Sequence, residues 1–310
     1  MIDEPDMNPA LNTEDVRHTL QAVSRGRGFL SLMWQPAGGK GVRNEHFPVA
    51  DIEKAIARVE QIDTERATGI WVRQTTIHEL PPLNEHGFRK RGEDELTASI
   101  IRLFLDVDCG THHAVSPTVL NKRNGLHLPA NEEAALDFIE NIGLPEPTQI
   151  DFTGGGVNPY WHLAEPAHVD GDEEARREAS WLYEAWQDIA GAAAPRHGVH
   201  YGTENRDLAR VLRIPGTVNR KRNPHEGKAD AADSSVWPER QARTVFRDGP
   251  TYTYAELLEI ARQLAPKTEP KFTTAAPGGP STNTSSSGTK TTFNQPGSGG
   301  TWVGGVAPGL

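Results

Sequence analysis

The last 45 residues differ in kind from the rest of the chain, and they limit how much of it can fold. In residues 266–310, 29 residues are Gly, Pro, Ser or Thr. Such a stretch buries too little apolar surface to offset the entropy lost on ordering it. We therefore predict a flexible N-terminus over 1–20, one folded domain over 21–250, a terminal helix over 251–265 and a low-complexity linker or tail over 266–310.

Composition excludes several classes of protein. The chain has 310 residues and one cysteine, Cys109, so an intrachain disulfide framework is impossible. No apolar run approaches the ~20 residues that a membrane span needs, and the polar N-terminus is unlike a secretory signal. These features predict a cytoplasmic protein without a membrane partner. The net charge of −10 argues, taken alone, against nucleic-acid binding.

Hydrophobic periodicity predicts an α+β fold with several hairpin-connected strands. The predicted helices are 49–62, 131–142, 172–194 and 254–264, and the longest carries a core stripe of Trp181, Tyr183 and Trp186. The predicted strands are 28–34, 69–73, 100–107, 149–153, 157–163, 210–214, 235–237 and 244–247. Residues 80–95 are rich in proline and charge, which is typical of a long loop.

A first motif places two carboxylates at the end of the most apolar strand. Residues 103–108 read Leu-Phe-Leu-Asp-Val-Asp. Side chains two apart on a strand project to the same face, so Asp106 and Asp108 should lie side by side. Two such carboxylates repel each other unless a cation lies between them, and Mg²⁺ prefers this kind of oxygen ligand. A solvated strand end would have the same sequence.

A second motif combines a glycine turn with a polar return strand. Residues 151–163 read Asp-Phe-Thr-Gly-Gly-Gly-Val-Asn-Pro-Tyr-Trp-His-Leu. Three glycines at a hairpin tip let backbone N–H groups approach an anion closely. Asn158, Tyr160 and His162 should share one face of the return strand. An ordinary glycine-rich hairpin is the alternative reading.

A third motif is basic within an acidic chain. Residues 206–222 contain six basic residues and one acid, Asp207. Arginine and lysine in this block suit a triphosphate or the phosphates of a strand. Asp207 is a candidate third carboxylate for a metal site begun by Asp106 and Asp108. A solvated basic loop is the alternative.

In this order, the three motifs resemble those of the archaeo-eukaryotic primase superfamily, in particular the primase-polymerase domains of phage and plasmid replicases. The family has a strand ending in Asp-x-Asp or Asp-x-Glu, a Ser-Gly-Gly-Gly-x-His-x-Tyr-Trp hairpin, and an Asp followed by Arg-x-Pro-Gly-Thr-x-Asn-x-Lys. The corresponding stretches here are 106–108, 153–161, and Asp207 with 213–221. The resemblance covers roughly residues 27–247.

The resemblance implies a primase-type core with an RRM-like mixed or antiparallel sheet flanked by helices. It implies a DNA primase-polymerase that joins nucleoside triphosphates on a single-stranded DNA template with two Mg²⁺ or Mn²⁺ ions. It assigns the metals and catalysis to Asp106, Asp108 and Asp207. It assigns the nucleotide to Thr153, Gly154, Gly155, Gly156, Asn158, His162, Arg213, Asn219 and Lys221. Contact with nucleic acid falls to Arg210, Arg220 and Arg222.

Asn158 departs from the family pattern, because it stands where the family has a phosphate-binding histidine. His162 lies on the same strand face and is a candidate substitute. The departure motivates a second hypothesis, a catalytically weak or inactive nucleic-acid-binding initiation module. Less favoured hypotheses are a sugar-nucleotide glycosyltransferase, a two-metal nuclease, and a zinc site built from Cys109, His112, His113 and His127.

The wider setting follows from the same resemblance. Residues 36–41 lack the glycine spacing and final Ser or Thr of a phosphate-binding P-loop, so no helicase motor is recognisable in the chain. Replicases of this type often carry a helicase after the primase-polymerase domain. We therefore expect a replicative helicase partner, in cis or in trans, in the cytoplasm of a bacterial cell or a phage-infected bacterial host.

Overall fold

The computed structural model describes residues 9–38, 41–110, 126–203, 205–222 and 237–266. The helices are α1 (Thr13–Ser24), α2 (Ile52–Thr64), α3 (Glu132–Asn141), α4 (Glu173–Ala193) and α5 (Tyr254–Leu264). The strands are β1 (Phe29–Gln35), β2 (Arg43–Pro48), β3 (Gly69–Arg73), β4 (Thr75–Ile77), β5 (Thr97–Phe104), β6 (Val107–Asp108), β7 (Gln149–Phe152), β8 (Gly156–His168), β9 (Val211–Arg213), β10 (Val218–Asn219), β11 (Arg240–Gln241) and β12 (Arg243–Phe246).

Ten of the described strands form one sheet in the order β12-β7-β8-β5-β4-β1-β3-β9, with β2 on β1 and β6 on β8. Strands β10 and β11 form a separate two-stranded ribbon. The pairings between these strands are antiparallel. The predicted α+β class, with a mainly antiparallel sheet flanked by helices, is confirmed.

Two apolar clusters hold the helices against this sheet. In the first, α3, α4 and α5 pack against β5 and β8. The predicted aromatic stripe belongs to it, and Trp186 meets Trp161 edge-on at 5.2 Å between ring centroids. In the second, α1 and α2 pack against β1 and β3. The terminal helix α5 is thus part of the first core, through Leu257, Leu258 and Ala261.

Strand β5 joins the two halves of the sheet and is buried along its whole length. The predicted strand over 100–107 is interrupted in the structure after Phe104 and resumes as β6 at Val107. In between, the Leu105 N–H donates to the Pro159 carbonyl at 3.1 Å. The interruption turns the backbone at Asp106 while keeping the chain attached to β8.

The prediction of a flexible N-terminus over 1–20 is wrong from Thr13 onward, where α1 begins. The Asn12 side chain caps the helix by accepting from the N–H groups of Glu14 and Asp15. Val16, Leu20 and Val23 recur at helical spacing and are fully buried. The polar residues around them conceal this stripe in the sequence. The predicted tail from 267 onward and most of the predicted strand 235–237 lie outside the described residues.

Among the described helices, none is long and apolar enough to cross a membrane.

We predict that Leu20→Ala lowers the free energy of unfolding by about 2–5 kcal/mol, because it leaves a cavity under a docked helix. Urea denaturation followed by circular dichroism measures the change. Leu264→Ala on α5 is the control, since Leu264 is 45% exposed and should cost less than about 0.5 kcal/mol. Equal stability of the two variants would mean that α1 is not part of the folded core.

Candidate active site

The three motifs meet at one cavity of about 350 Å³. It is lined by residues from β6, from the β7–β8 turn, from β9 and from the segment around β10. Its walls include these residues predicted from the sequence: Asp106, Asp108, Thr153, Gly154, Gly155, Asn158, Arg213, Asn219 and Lys221. These predicted residues, from Asp106 to Lys221, are up to 115 positions apart in the chain and face one space.

Asp106 and Asp108 lie half-buried in this wall. The Asn205 side-chain amide donates to Asp106 Oδ2 at 2.7 Å. The Asp106 N–H donates to the Tyr201 hydroxyl oxygen at 3.4 Å. Asp108 is fixed through its backbone, because β6 pairs it with Gly156 of β8.

The Tyr201 contact ties Asp106 to the first core. The Tyr201 hydroxyl donates to the Gln187 side-chain carbonyl, and the Gln187 amide donates to the Phe104 carbonyl at 2.8 Å. Burial raises the pKa of Tyr201 well above its ordinary value, so the hydroxyl keeps its proton for this bond. A helix of the core thereby fixes the backbone on both sides of the strand interruption.

The glycine turn has a geometry that other residues cannot adopt. Gly154 has φ +79°, and a Cβ there would lie 3.0 Å from the Asn219 Cβ. A Cβ on Gly156 would lie 2.5 Å from the Val107 carbonyl oxygen. The glycines are therefore required to let β8 approach β6 closely and to let the turn contact the basic segment.

Two side chains attach this turn to the opposite wall. The Asn219 amide donates to the Thr153 carbonyl at 3.0 Å, and the Arg240 guanidinium donates to the Gly154 carbonyl at 2.6 Å. Burial lowers the pKa of Arg240. The cavity is thus closed by hydrogen bonds between two segments that each supply functional groups.

Arg213 is the buried cation of the cavity. It lies over the Trp71 ring at 5.0 Å, and only 8% of the residue is exposed. Burial, together with the nearby Arg220, lowers the pKa of Arg213 to about 10, while the Asp106 carboxylate acts to raise it. The guanidinium remains charged at neutral pH and faces the same space as Asp106.

Asn158 occupies the floor of the cavity, and 1% of it is exposed. Neither polar atom of its side chain has a hydrogen-bond partner within the described residues. A buried amide without partners is costly, and a ligand that hydrogen-bonds to it would remove that cost.

Asp207 does not join Asp106 and Asp108 as the sequence predicts. Its carboxylate is paired with Arg91 at 3.5 Å and with Arg210 at 3.1 Å, and it lies outside the cavity lining. Within the described residues, no three His, Cys, Asp or Glu side chains are grouped so as to hold a metal ion. The physical reason is that two guanidinium groups already balance this carboxylate.

Five other predicted residues also lie outside the cavity lining: Gly156, His162, Arg210, Arg220 and Arg222. His162 is buried beside Arg102, with 3.3 Å between His162 Nε2 and Arg102 Nη1, and burial lowers its pKa to about 2. It is therefore neutral and does not replace the family histidine. Arg220 is bound to Asp63 at 2.9 Å and is largely buried. Arg222, which follows Lys221 in the sequence, is exposed.

Several lining residues were missed by sequence reasoning. Trp71, Trp237 and Arg240 line the cavity but lie outside the three motifs. Asn205 directly precedes the third motif, but nothing in the surrounding sequence indicates its hydrogen bond to Asp106. Local sequence carries no signal for a contact that forms only when distant strands come together.

The chemistry of the lining fits a hard divalent cation with a phosphorylated ligand. Asp106 and Asp108 supply the carboxylate oxygens that Mg²⁺ and Mn²⁺ prefer. Arg213, Lys221 and Arg240 supply positive charge for phosphate groups. The zinc alternative gains no support, because burial raises the pKa of the Cys109 thiol to about 12, and His112 and His113 lie outside the described residues.

No family model matches the chain, and no curated protein matches it. The chain is similar to the AEP domain of the cyanophage S-2L primase-polymerase, with 17% identity, 83% of this chain and 100% of that chain covered, and a TM-score of 0.48. It is similar to the primase RepB', with 13% identity, 81% and 62% covered, and a TM-score of 0.43. It is also similar to the catalytic domain of primase RepB' in complex with initiator DNA, with 13% identity, 81% and 93% covered, and a TM-score of 0.43.

These solved structures are of the type that the three motifs resemble.

A buried acid lies behind the glycine turn. Asp151 on β7 is opposite Asn158 and is 1% exposed. It accepts hydrogen bonds from Gln149 at 2.7 Å and from Thr244 at 3.0 Å. Burial raises the pKa of Asp151 to about 7, against the effect of these two donors. It therefore carries a proton in the folded protein at pH values where the unfolded chain has lost it.

We predict that the contribution of Asp151 to the free energy of unfolding falls by up to about 4 kcal/mol as pH rises from about 4 to 7. The folded state binds the proton more tightly, so stability is full below the unfolded pKa of 3.8 and is lost through the folded pKa. Asp151→Asn should remove this slope in urea denaturation between pH 5 and 8. Glu256→Gln is the control and should keep it, because hydrogen bonds from Thr253 lower the pKa of Glu256. An unchanged slope in Asp151→Asn would contradict the assignment.

Proposed function

We propose that the chain is a DNA primase-polymerase that transfers nucleotides from nucleoside triphosphates onto a strand templated by single-stranded DNA. One observation carries the proposal: paired carboxylates, a glycine turn and three cationic side chains from distant parts of the chain line one cavity. This set of groups suits a metal-bound triphosphate better than a neutral or purely anionic ligand.

The triphosphate is assigned to the cationic wall. Arg213 and Lys221 would contact phosphate oxygens, together with the N–H groups of Gly154 and Gly155. Asn158 would donate or accept a hydrogen bond in place of the family histidine. Trp71 and Trp237 provide aromatic faces on the same cavity for the base.

Asp106 and Asp108 would hold Mg²⁺ or Mn²⁺. Two such ions held there would supply Lewis-acid activation of the attacking oxygen and charge neutralisation at the leaving one. In the reaction, a 3′-hydroxyl oxygen bonds to the α-phosphorus of the nucleoside triphosphate as the bond from that phosphorus to the bridging oxygen of the β-phosphate breaks. Pyrophosphate leaves with that oxygen, and the hydroxyl proton passes to solvent. Asn205 and Tyr201 are positioning residues, because they fix the side chain and the backbone of Asp106. Arg213 stabilises the growing negative charge on the phosphate.

Asp207 remains the candidate third carboxylate from the sequence, but it would first have to leave Arg91 and Arg210. Breaking these two ion pairs would allow the guanidinium groups of Arg91 and Arg210 to face the anionic ligands. The net charge of −10 does not oppose DNA binding on this proposal, since the cationic groups are local to the cavity. A replicative helicase, in cis or in trans, and a bacterial or phage-infected cytoplasm belong to the same proposal.

We predict that Asp106→Asn abolishes incorporation of labelled nucleotides on a primed single-stranded template with Mn²⁺, because it removes a carboxylate ligand while keeping the Asn205 contact possible. The expected loss is about a thousandfold or more, read from extended products on a denaturing gel. Asp51→Asn is the matched control, since Asp51 contacts only Lys54 at the surface among the contacts described.

Asp207→Asn in the same assay tests the third carboxylate. A loss smaller than that of Asp106→Asn is expected while Asp207 acts through Arg91 and Arg210. A loss as complete as that of Asp106→Asn would mean that Asp207 joins the site when metal binds. Parental extension rates in Asp106→Asn would contradict the proposed reaction altogether.

A second function, a weak or inactive DNA-binding initiation module, is favoured by two observations. Asn158 carries no charge where the family has a histidine, and Asp207 is engaged by two arginines. On this reading the chain binds DNA and forms no product.

We predict that Asn158→His raises incorporation several-fold when Asn158 is the factor that limits phosphate binding. The imidazole would add a donor that can carry positive charge beside the triphosphate. Single-nucleotide extension at pH 6.5 and pH 8 measures the gain, which should be larger at pH 6.5. Asn141→His on α3 is a control for a histidine placed away from the cavity. No product from either the parent or Asn158→His would favour the initiation module.

A further inference from the structure

A second cavity, of about 440 Å³, has no part in the reaction above. The residues that line it come from the end of β1 and the start of β2 and from the loop after β4: Pro36, Gly41, Val42, Arg43, Asn44, Asn84, Phe88, Arg89 and Lys90. We call it the Phe88 groove, after its most exposed aromatic residue. Gln35 lines the first cavity and the next residue, Pro36, lines the Phe88 groove, so both reach the end of β1.

The Phe88 groove combines exposed apolar groups with positive charge. Phe88 is 54% exposed and Val42 is 55% exposed. Arg43, Arg89 and Lys90 also line it, and the described lining contains no carboxylate. The chain as a whole has a net charge of −10, so this local group of cationic side chains stands out. Together with the aromatic ring, it suits a negatively charged ligand that has flat apolar faces.

Phe88 is held outward by a hydrogen-bonded turn. The Asn84 side chain accepts from the N–H groups of His86 at 3.0 Å and Phe88 at 2.9 Å. The Asn84 N–H donates to the Phe88 carbonyl at 2.8 Å. The backbone under the ring is therefore ordered before a ligand arrives, which reduces the entropy lost on binding.

The turn is also attached to the body of the protein. His46 on β2 contacts the Lys90 carbonyl at 2.9 Å through Nε2, and Arg73 donates to the carbonyls of residues 91–93. These contacts keep Phe88 and the Lys90 backbone at a fixed distance from β1. A strand that leaves the first cavity at Gln35 would meet this surface next.

We propose that the Phe88 groove binds the single-stranded DNA that continues out of the first cavity, with a base stacked on Phe88 and phosphates near Arg43 and Lys90. The identity of this strand as template or primer rests on the proposed function. Base stacking on an aromatic ring is tolerant of sequence, so the Phe88 groove would hold any unpaired strand.

The test is the fluorescence anisotropy of a labelled oligothymidylate with the full chain, measured without metal or nucleotide. Phe88→Ala should weaken binding about tenfold, and Phe88→Trp should restore it, because a stacking face is retained. Lys90→Ala should lower the slope of log affinity against log salt by about 0.7, the value for one phosphate contact with a single strand. Lys54→Ala on α2 is the matched control and should leave the slope unchanged, since its side chain is 71% exposed and does not line the Phe88 groove.

Parental affinity in Phe88→Ala together with an unchanged slope in Lys90→Ala would overturn the proposal, as would the absence of oligothymidylate binding by the parent. Stronger competition by duplex DNA than by a single strand would also overturn it. The proposed reaction is tested separately by product formation. DNA binding through Phe88 without any product would overturn only the reaction, and product formation with unchanged DNA binding in Phe88→Ala would overturn only the role of the Phe88 groove.

Discussion

The burial of Arg73 at the end of β3 is the interaction on which the arrangement of the loops depends. Its guanidinium is fully buried and donates to the hydroxyls of Thr75 and Thr97 and to the carbonyls of residues 91–93. Burial lowers the pKa of Arg73 to about 10, so the group is still charged at neutral pH. A buried cation needs its donors satisfied, and here backbone oxygens of the long loop satisfy them.

This requirement links the loop to both cavities. The carbonyls that solvate Arg73 directly follow the turn that carries Phe88. Just beyond them, Asp94 accepts from the Ala209 N–H at 2.8 Å, and Arg91 pairs with Asp207. The Thr75 hydroxyl also donates to the Leu208 carbonyl at 2.8 Å. The segment that includes Asn205 and Asp207 is therefore positioned by the same loop that positions the Phe88 groove.

Sequence alone predicted the long elements because their patterns are local. The strand 69–73 and the helix 254–264 agree with the structure at both ends, since their apolar spacing and caps are complete within each segment. Helix α1 was missed because its buried stripe of Val16, Leu20 and Val23 is narrow and lies within a polar, acidic stretch. The short strands β2 and β4 were missed because their pairing depends on β1 and β5 rather than on their own composition.

The site was predictable only to the extent that motifs are contiguous. The structure brings Asp106, Asp108 and the glycine turn to one cavity. The residues that pair with Asp207, His162 and Arg220 come from distant elements. No feature of the sequence predicts that these three residues pair with Arg91, Arg102 and Asp63. Tertiary contacts decide whether a charged side chain faces a ligand or another charged group of the protein. The spacing of residues in the sequence does not predict these contacts.

The two ends of the sheet are brought back toward each other by the segment between β9 and β10. The Gly216 N–H donates to the Ala242 carbonyl at 2.6 Å, the Ala242 N–H donates to the Thr217 carbonyl at 2.9 Å, and β10 then pairs with β11. The sheet thus comes close to closing on itself, and the cavity lies where its two ends meet. Backbone hydrogen bonds therefore join the two ends of the sheet beside the cavity, and Ala242 belongs to neither apolar cluster.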